Sequence, residues 1–428
     1  MLEARSDVVD LSLAASTPET GYRWYALSAL TLIYCCHAFD RSIMAILVEP
    51  LRAEFLLSDK QLGMVTGLAY AVAFSAACVP VGILADRTNR RNLLALIVFL
   101  WSCTTAVAGF ATSYAALLLA RMGVGVAESG ASPISLSLIG DFFPQRERAT
   151  AVGVLMFGGG TGAALAAMAG GYIAATYGWR MTCFFAGIPG VLLAILVLAT
   201  LNEPRRKSAD VASQVFTVSE TVEFILARRS LVHLMVASPL ASAATASMSA
   251  WLASMLMRTH GLNIRQAGDT MAVFGLFSAV GSMSGGLLSD RLSAGSGSRR
   301  VNLAALFVGL MIPVMVGAML LASTGLAIFF SLVVGLLSVA IYPICFGSIL
   351  NLVKPRMRGL TFGSVQVMSI LIGIGMGPFL VGLISDLIGG PNSLRYALLL
   401  VNCIAYGWSC LHFLLARRGL LADLDRAG

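Results

Sequence analysis

The sequence predicts an all-α membrane protein of twelve transmembrane helices, arranged as two six-helix units. Three observations predict it. The 428 residues are 58% hydrophobic and only 12% charged, against about 25% charged residues in an ordinary soluble domain. Twelve apolar segments, each about 20 residues or longer and so able to cross a bilayer, fall into two sets of six on either side of a polar stretch from Asn202 to Ser230. Landmarks of the first set return in the second at a nearly constant spacing.

The segments run 24–50, 61–85, 92–111, 114–141, 148–175, 179–201, 231–257, 267–289, 302–322, 325–352, 359–387 and 394–416. The first twenty residues are polar, mixed in charge and without an apolar h-region, so residues 1–23 read as a cytosolic tail rather than a signal peptide. Segment one then carries Tyr34-Cys35-Cys36-His37-Ala38-Phe39-Asp40-Arg41. Two adjacent full charges and a histidine thus lie at membrane depth. A charge near the bilayer centre costs at least ~2.5 kcal/mol, so these groups are expected to face a watery cavity or partners on another helix. Segment two ends in Gly82-Ile83-Leu84-Ala85-Asp86-Arg87, and Arg90-Arg91 precedes segment three. Segment four carries Arg121 and Glu128, seven residues apart; that is about two turns, which puts both on one face. Gly123, Gly125 and Gly130 thin the same helix for close packing.

Segment five contains Gly158-Gly159-Gly160-Thr161-Gly162. No lysine follows it and no strand precedes it, so it is not a nucleotide loop. It reads as a close-packing or bending region in a moving helix, continued by Gly170-Gly171, and Gly373-Ile374-Gly375-Met376-Gly377-Pro378 plays the corresponding part in segment eleven. The linker 202–230 holds Glu203-Pro204-Arg205-Arg206-Lys207 and an amphipathic piece, 215–226, suited to lie along the membrane face. Segments seven, eight, ten and eleven carry no full charge in their central turns. They offer Met248, Phe274, Phe277, Tyr342 and Gln366 among serines, methionines and aromatics. Such residues suit an apolar ligand, and at helical spacing they also serve plain packing.

Lys and Arg concentrate in the connections that share a side with the N-terminus, so both termini are expected in the cytosol, with 417–428 as a second tail. Asp86-Arg87 returns as Asp290-Arg291, Arg146-Glu147-Arg148 as Arg356-Met357-Arg358, and Arg180 as Arg395, at offsets of 204 to 215 residues. Matched landmarks at such offsets indicate two bundles of one orientation, 24–201 and 231–416, related by a pseudo-twofold axis along the membrane normal. The formal charge of +8 sits in these short clusters, so it marks topology and not nucleic-acid binding. The eight cysteines are scattered without a CxxC spacing and read as small hydrophobes, not a disulfide framework or metal site. No HExxH, GxSxG or Walker A motif occurs. An enzyme is therefore not expected, ATP-driven transport by this chain alone is excluded, and no cofactor is called for.

Gly82-xxx-Asp86-Arg87-xx-Arg90-Arg91 resembles the loop motif between helices two and three of the major facilitator superfamily. The six-plus-six layout, the weaker second copy and Arg121-Met122-Gly123-Val124-Gly125 agree with it. Within that superfamily, Phe39-Asp40-Arg41 and Arg121-xGxGxAE-Ser129 resemble the Spinster family of lipid-type transporters. The resemblance implies the major facilitator fold, a monomer, and a central cavity lined by helices one and four, where Asp40 and Arg41 would meet Arg121 and Glu128. It also implies a charge network of Asp86 and Arg90 with Asp141, the carboxylate of Asp86 facing the positive N-terminus of helix eleven. Arg87 and the second copy, Asp290 and Arg291, belong to the same gate.

The charged set admits two interpretations. One is a proton-coupled substrate site. Desolvation opposes the charged form of a carboxylate and a nearby arginine favours it, so a change of access can load or release a proton at Asp40 or Glu128. Glu128 can alternatively clamp Arg121. Arginine stays charged and suits an anchor for a phosphate or carboxylate head, a role open to Arg41 and Arg121. His37, one turn before Asp40, could relay protons or hydrogen-bond a neighbour. The other interpretation is an ion-pair network that merely ties helices one and four together. A charged first half facing an apolar second half matches a small amphiphilic or anionic substrate moved across the bilayer with protons. A multidrug or organic-anion transporter of the same superfamily is the alternative.

Overall fold

A computed structural model describes residues 20–144, 147–204, 218–293, 297–354 and 357–425. Among them every regular element is helical. The long helices are α1 (Thr20–Phe55), α2 (Asp59–Arg87), α3 (Arg90–Ala108), α4 (Tyr114–Glu128 and Ala131–Phe142), α5 and α6 (together Arg148–Thr200), α7 (Arg229–His260), α8 (Ile264–Ser293), α9 (Gly297–Leu320), α10 (Thr324–Leu352), α11 (Arg358–Ile388) and α12 (Ser393–Asp425). A short helix, Val218–Leu226, precedes α7; the rest of the expected amphipathic piece, 215–217, lies outside the described residues, as do Arg146 and Arg356.

Ten uninterrupted stretches are long and apolar enough to span a membrane. Two further crossings come from breaks in the helix pattern. α4 is split at Ser129-Gly130 into pieces of 15 and 12 residues. The 53-residue run of α5 and α6 folds back at Gly178, whose φ of 81° and ψ of 168° no helix accommodates and few side-chain-bearing residues adopt. Several helices, α1, α2, α7 and α12 among them, run past their apolar segments at both ends, because interfacial polar residues continue a helix that the hydrocarbon has already nucleated. Local signals start several of them. Ser58 and Gln61 form a reciprocal capping box at α2, and the Asn89 and Ser113 side chains accept from the backbone N–H groups of Asn92 and Ala116. Gly261, at φ 69°, ends α7 in the left-handed conformation.

Outward-facing side chains such as Phe110, Leu119, Phe157 and Leu192 are 61–74% exposed, as expected of a surface solvated by acyl chains. Association between helices in such a medium rests on close contact rather than on expulsion of water. The glycines supply that contact, in two different ways along segment five. A Cβ on Gly158 or Gly159 would strike Thr31 or Tyr34 at about 2.6–2.7 Å, and one on Gly162 would strike the Cys35 carbonyl, so this string seats α5 on α1. Gly160 alone of the string faces the second set, with a Cβ 4.0 Å from Ala279 of α8, and the tighter contacts between the sets fall on Gly171 of the continuation Gly170-Gly171 and on Gly375 of segment eleven. Gly171 of α5 meets Ile264 and Gly268 of α8, and Gly375 of α11 meets Ala71 of α2. α2 and α11 each widen into a π-turn, Met64–Leu68 and Ser369–Met376. These turns face each other, with Gly63 and Gly67 against the carbonyls of Pro378 and Ile374.

The two ends of the bundle differ. At the end opposite the termini, α1 and α2 are bonded to α7 and α11. Arg258 reaches Glu49 at 2.7 Å and Asp59 at 2.8 Å, and Ser385 donates to Asp59 at 2.6 Å. Asp386 accepts from the backbone N–H groups of Asp59 and Lys60, both at 2.9 Å, a carboxylate placed at a helix N-terminus. At the end that bears the termini, described bonds such as Arg23–Glu147, Arg90–Asp141 and Ser230–Asp423 join elements within one set of six. There Gly82, Gly140, Gly153, Gly359 and Gly363 have nothing within 4 Å of a Cβ. Among the described residues, side-chain bonds therefore seal the two sets together at the end opposite the termini.

Candidate functional site

Three of the four intramembrane charges meet in one buried cluster. Asp40 is 2% exposed and Thr105 of α3 donates to its carboxylate at 2.7 Å. Glu128, 1% exposed, accepts from the Tyr70 hydroxyl of α2 at 2.6 Å, and His37 Nε2 stands 3.3 Å from the same carboxylate oxygen. That last contact is in ion-pair range without hydrogen-bond alignment. The His37 ring stacks on Tyr34 and meets the edge of Trp101. Asp40 and Glu128 lie within electrostatic reach of each other and of Arg121.

Arg121 is 3% exposed, with its guanidinium 5.4 Å from the centre of the Tyr70 ring. Its Nε and Nη2 have no hydrogen-bond partner among the described residues. The clamp of Glu128 on Arg121 is not formed, since the pair makes no salt bridge. Seven residues put the two on one face but also about 10 Å apart along the axis, too far for direct contact. Tyr70 takes the place that sequence reasoning gave to Arg121. A tyrosine in an apolar run carries no signal of such a role.

Arg41 does not join the cluster. It is exposed, and its charge reaches Tyr70 of α2 and Tyr342 of α10. One residue of offset turns a helix by about 100°, so Asp40 points inward to α3 and Arg41 into the space between the two sets. Opposite it, Tyr342 is half-buried and stacks with Phe346, which in turn meets Phe362 of α11 at 5.4 Å. Gln366, one turn beyond Phe362, is exposed. Phe277 is 38% exposed. Met248 is fully buried in the core, and Phe274 is 4% exposed with its ring against Gly335 of α10, so the structure puts these two in helix packing rather than on open space. A glycine across the helix contact makes a socket for the ring.

At the terminus-bearing end, Arg90 is 4% exposed and holds Asp141 at 2.6 Å and Ser137 at 2.8 Å, the expected pair plus a serine. It also holds Glu203 at 2.8 Å, and Glu203 accepts in addition from the backbone N–H of Arg91. Sequence reasoning assigned Glu203 to the linker; the Glu-Pro that stops α6 was the available signal. A cavity of about 210 Å³ lies beside this cluster, lined by Gly82, Ala85, Asp86, Arg90, Pro133, Ile134 and Ser137. Asp86 and Arg87 are exposed at its rim, and Arg291 is exposed in the second set. The side chain of Asp290 lies outside the described residues.

Comparison with known proteins gives this geometry its context. The family model described as Major Facilitator Superfamily matches residues 30–378. An MFS-type efflux pump of Mycolicibacterium smegmatis is 26% identical over 384 residues, 88% of this chain and 89% of that protein. The sphingosine-1-phosphate transporter SPNS2 of Danio rerio is 29% identical over 234 residues, 52% of this chain and 45% of that protein. Among solved structures, a bacterial homologue of the human lysosomal transporter Spinster, in an inward-facing and occupied conformation, superposes with a TM-score of 0.84 at 25% identity, covering 95% of this chain and 99% of that one. The twelve-crossing helical fold, the loop motif and the family match agree: the chain belongs to the Major Facilitator Superfamily, as a transporter and not an enzyme.

Proposed function

We propose that the protein is a Spinster-like, proton-coupled secondary transporter of a small anionic amphiphile, working by alternating access. The observation that carries this is Arg121: a fully charged guanidinium, 3% exposed, with two nitrogens unpartnered among the described residues. Buried charges are ordinarily paired, so an arginine left open beside two carboxyls that Thr105 and Tyr70 already contact is suited to an anionic head arriving from outside the protein. Arg41, facing the open space, is the first contact for that head. Tyr342, Phe346, Phe362, Gln366 and Phe277 suit its apolar portion. Asp40 and Glu128 carry the coupled proton, with His37 as the polar contact between Glu128 and the cavity.

In this proposal the bundles 24–201 and 231–416 rock about the sealed end, joined by the linker 202–230. The protein is a monomer in the cell membrane, with both tails cytosolic and the terminus-bearing end open to the cytosol. Asp86, Arg87, Arg90 and Asp141, with Asp290 and Arg291 of the second copy, close that end in the alternate state. The likeness to a Spinster homologue over 95% of this chain supports the Spinster-like reading, and the likeness to a sphingosine-1-phosphate transporter over 52% of it supports the substrate class.

Binding to purified protein in detergent tests the proposal, using an anionic lysolipid, a sphingoid phosphate, a cationic drug and a sugar acid at two pH values. The anionic amphiphiles should bind, and Arg121→Ala should weaken their binding by about 10- to 100-fold. Preferential binding of the sugar acid would overturn the amphiphile. The alternative, a multidrug or organic-anion transporter, is favoured by the likeness to an efflux pump across 88% of the chain. Its mark would be drug binding that survives Arg121→Ala.

A further inference from the structure

Between α9 and α12, on the outer face of the bundle, runs a groove of about 420 Å³ lined by Asn302, Leu306, Gly309, Leu310, Leu414 and Arg417, among others. Side-chain size creates it. Gly309 contributes no side chain, and a Cβ built there would meet only Cys410 Sγ, at 3.7 Å. Leu306, Leu310 and Leu414 stand out around it, 56%, 45% and 46% exposed. Apolar side chains so exposed in a membrane-spanning bundle face acyl chains.

The groove has one polar end. Asn302 lies early in α9 and Arg417 late in α12, both toward the terminus-bearing end. Arg299, one turn before Asn302 and on the same face, is exposed, as are Arg417 and Arg418. None of these three arginines has an ion-pair partner among the described residues, and no acid lines the groove. From Asn302 to Leu310 the helix rises about 12 Å. That is close to the ~15 Å hydrocarbon depth of one leaflet.

We propose that this groove binds one anionic glycerophospholipid of the leaflet on the terminus-bearing side. Its phosphate sits on Arg417 and Asn302, within the positive field of Arg299 and Arg418, and one acyl chain lies in the slot over Gly309. The guanidinium fork matches phosphate oxygens in geometry and charge. The three unpaired arginines favour a net negative headgroup over a zwitterionic one. The site is on the second set of helices, apart from Arg121 on α4, and does not depend on the transport proposal.

Native mass spectrometry of the purified protein tests it, with phosphatidylglycerol and phosphatidylcholine of identical acyl chains and sn-glycerol 3-phosphate as the headgroup alone. Phosphatidylglycerol should be retained about tenfold more strongly than phosphatidylcholine, the worth of one charge-assisted contact. Arg417→Gln, at an exposed position, should remove that preference, and Gly309→Leu, which fills the slot, should weaken both lipids. Arg265→Gln, an exposed arginine outside both sites, should leave phosphatidylglycerol retention unchanged. Equal retention of the two lipids, wild-type retention by Arg417→Gln, competition by glycerol 3-phosphate as strong as by the lipid, or equal loss of retention in Arg265→Gln would each overturn the site.

Discussion

The Tyr70 hydroxyl donates to Glu128 Oε2 at 2.6 Å across the α2–α4 contact. The bond satisfies one oxygen of a buried carboxylate, while Oε1 has no hydrogen-bond partner among the described residues. Arg121, two turns earlier on the same face and too far for direct contact, is without an acid of its own.

Tyr70→Phe should therefore destabilise the protein without unfolding it. A buried hydrogen bond to a charged group is worth about 1.5–3 kcal/mol. Thermal unfolding in detergent should register that loss, with Glu128→Gln showing a smaller additional effect in the Tyr70→Phe background than alone, because the two residues share one bond.

Asp40→Asn should keep its Thr105 contact, since an amide oxygen also accepts, while losing the titratable group. In proteoliposomes, pH-gradient-driven uptake should vanish and substrate exchange at equal pH should persist. Uphill transport with an unaltered pH profile would remove Asp40 from proton coupling.

Arg121→Ala should weaken binding of an anionic ligand by about 10- to 100-fold, the equivalent of one buried charge-assisted contact. Arg121→Lys should recover part of it, since the ammonium keeps the charge but not the fork. Isothermal titration of both variants measures this. Equal affinity in the wild type and Arg121→Ala ends the anchor role.

Arg258→Ala should loosen the sealed end. It strips Glu49 and the 4%-exposed Asp59 of their nearer cation and leaves them Arg52 at 3.9 Å; breaking a buried pair typically costs about 3–5 kcal/mol, and Arg52 offsets part of that. Spin labels at the exposed positions Leu56 and Leu387 should report a longer distance distribution in the variant. An unchanged distribution would mean that the π-turn packing of α2 on α11 holds the seal alone.

Arg90→Ala should insert into membranes normally and transport slowly. Its partners Asp141 and Glu203 tie α3 to α4 and to the start of the linker, whereas topology is set by the many other basic residues on that side. Pairing membrane insertion with initial transport rate separates the two roles.

The architecture is legible in the amino-acid order alone. Hydrocarbon demands long apolar helices, so span count and the break after α6 follow from composition, whereas the structure places the corner between segments five and six at Gly178. Asp40, Arg121 and Glu128 are legible too, because an ionised group in an apolar run is too costly to keep unless a cavity or a partner receives it. Their partners emerge only in the folded bundle. Thr105, Tyr70 and Glu203 are ordinary residue types in ordinary contexts, and only the folding together of separate helices gives them a role. The Asp386 carboxylate makes the same point: it sits in a GxxxD run without a following arginine, yet it accepts from the backbone of Asp59 and Lys60, 327 and 326 residues away. Helical periodicity tells which side chains share a face, but not which face of which other helix they meet, and at 100° per residue that is enough to bury Asp40 and expose Arg41.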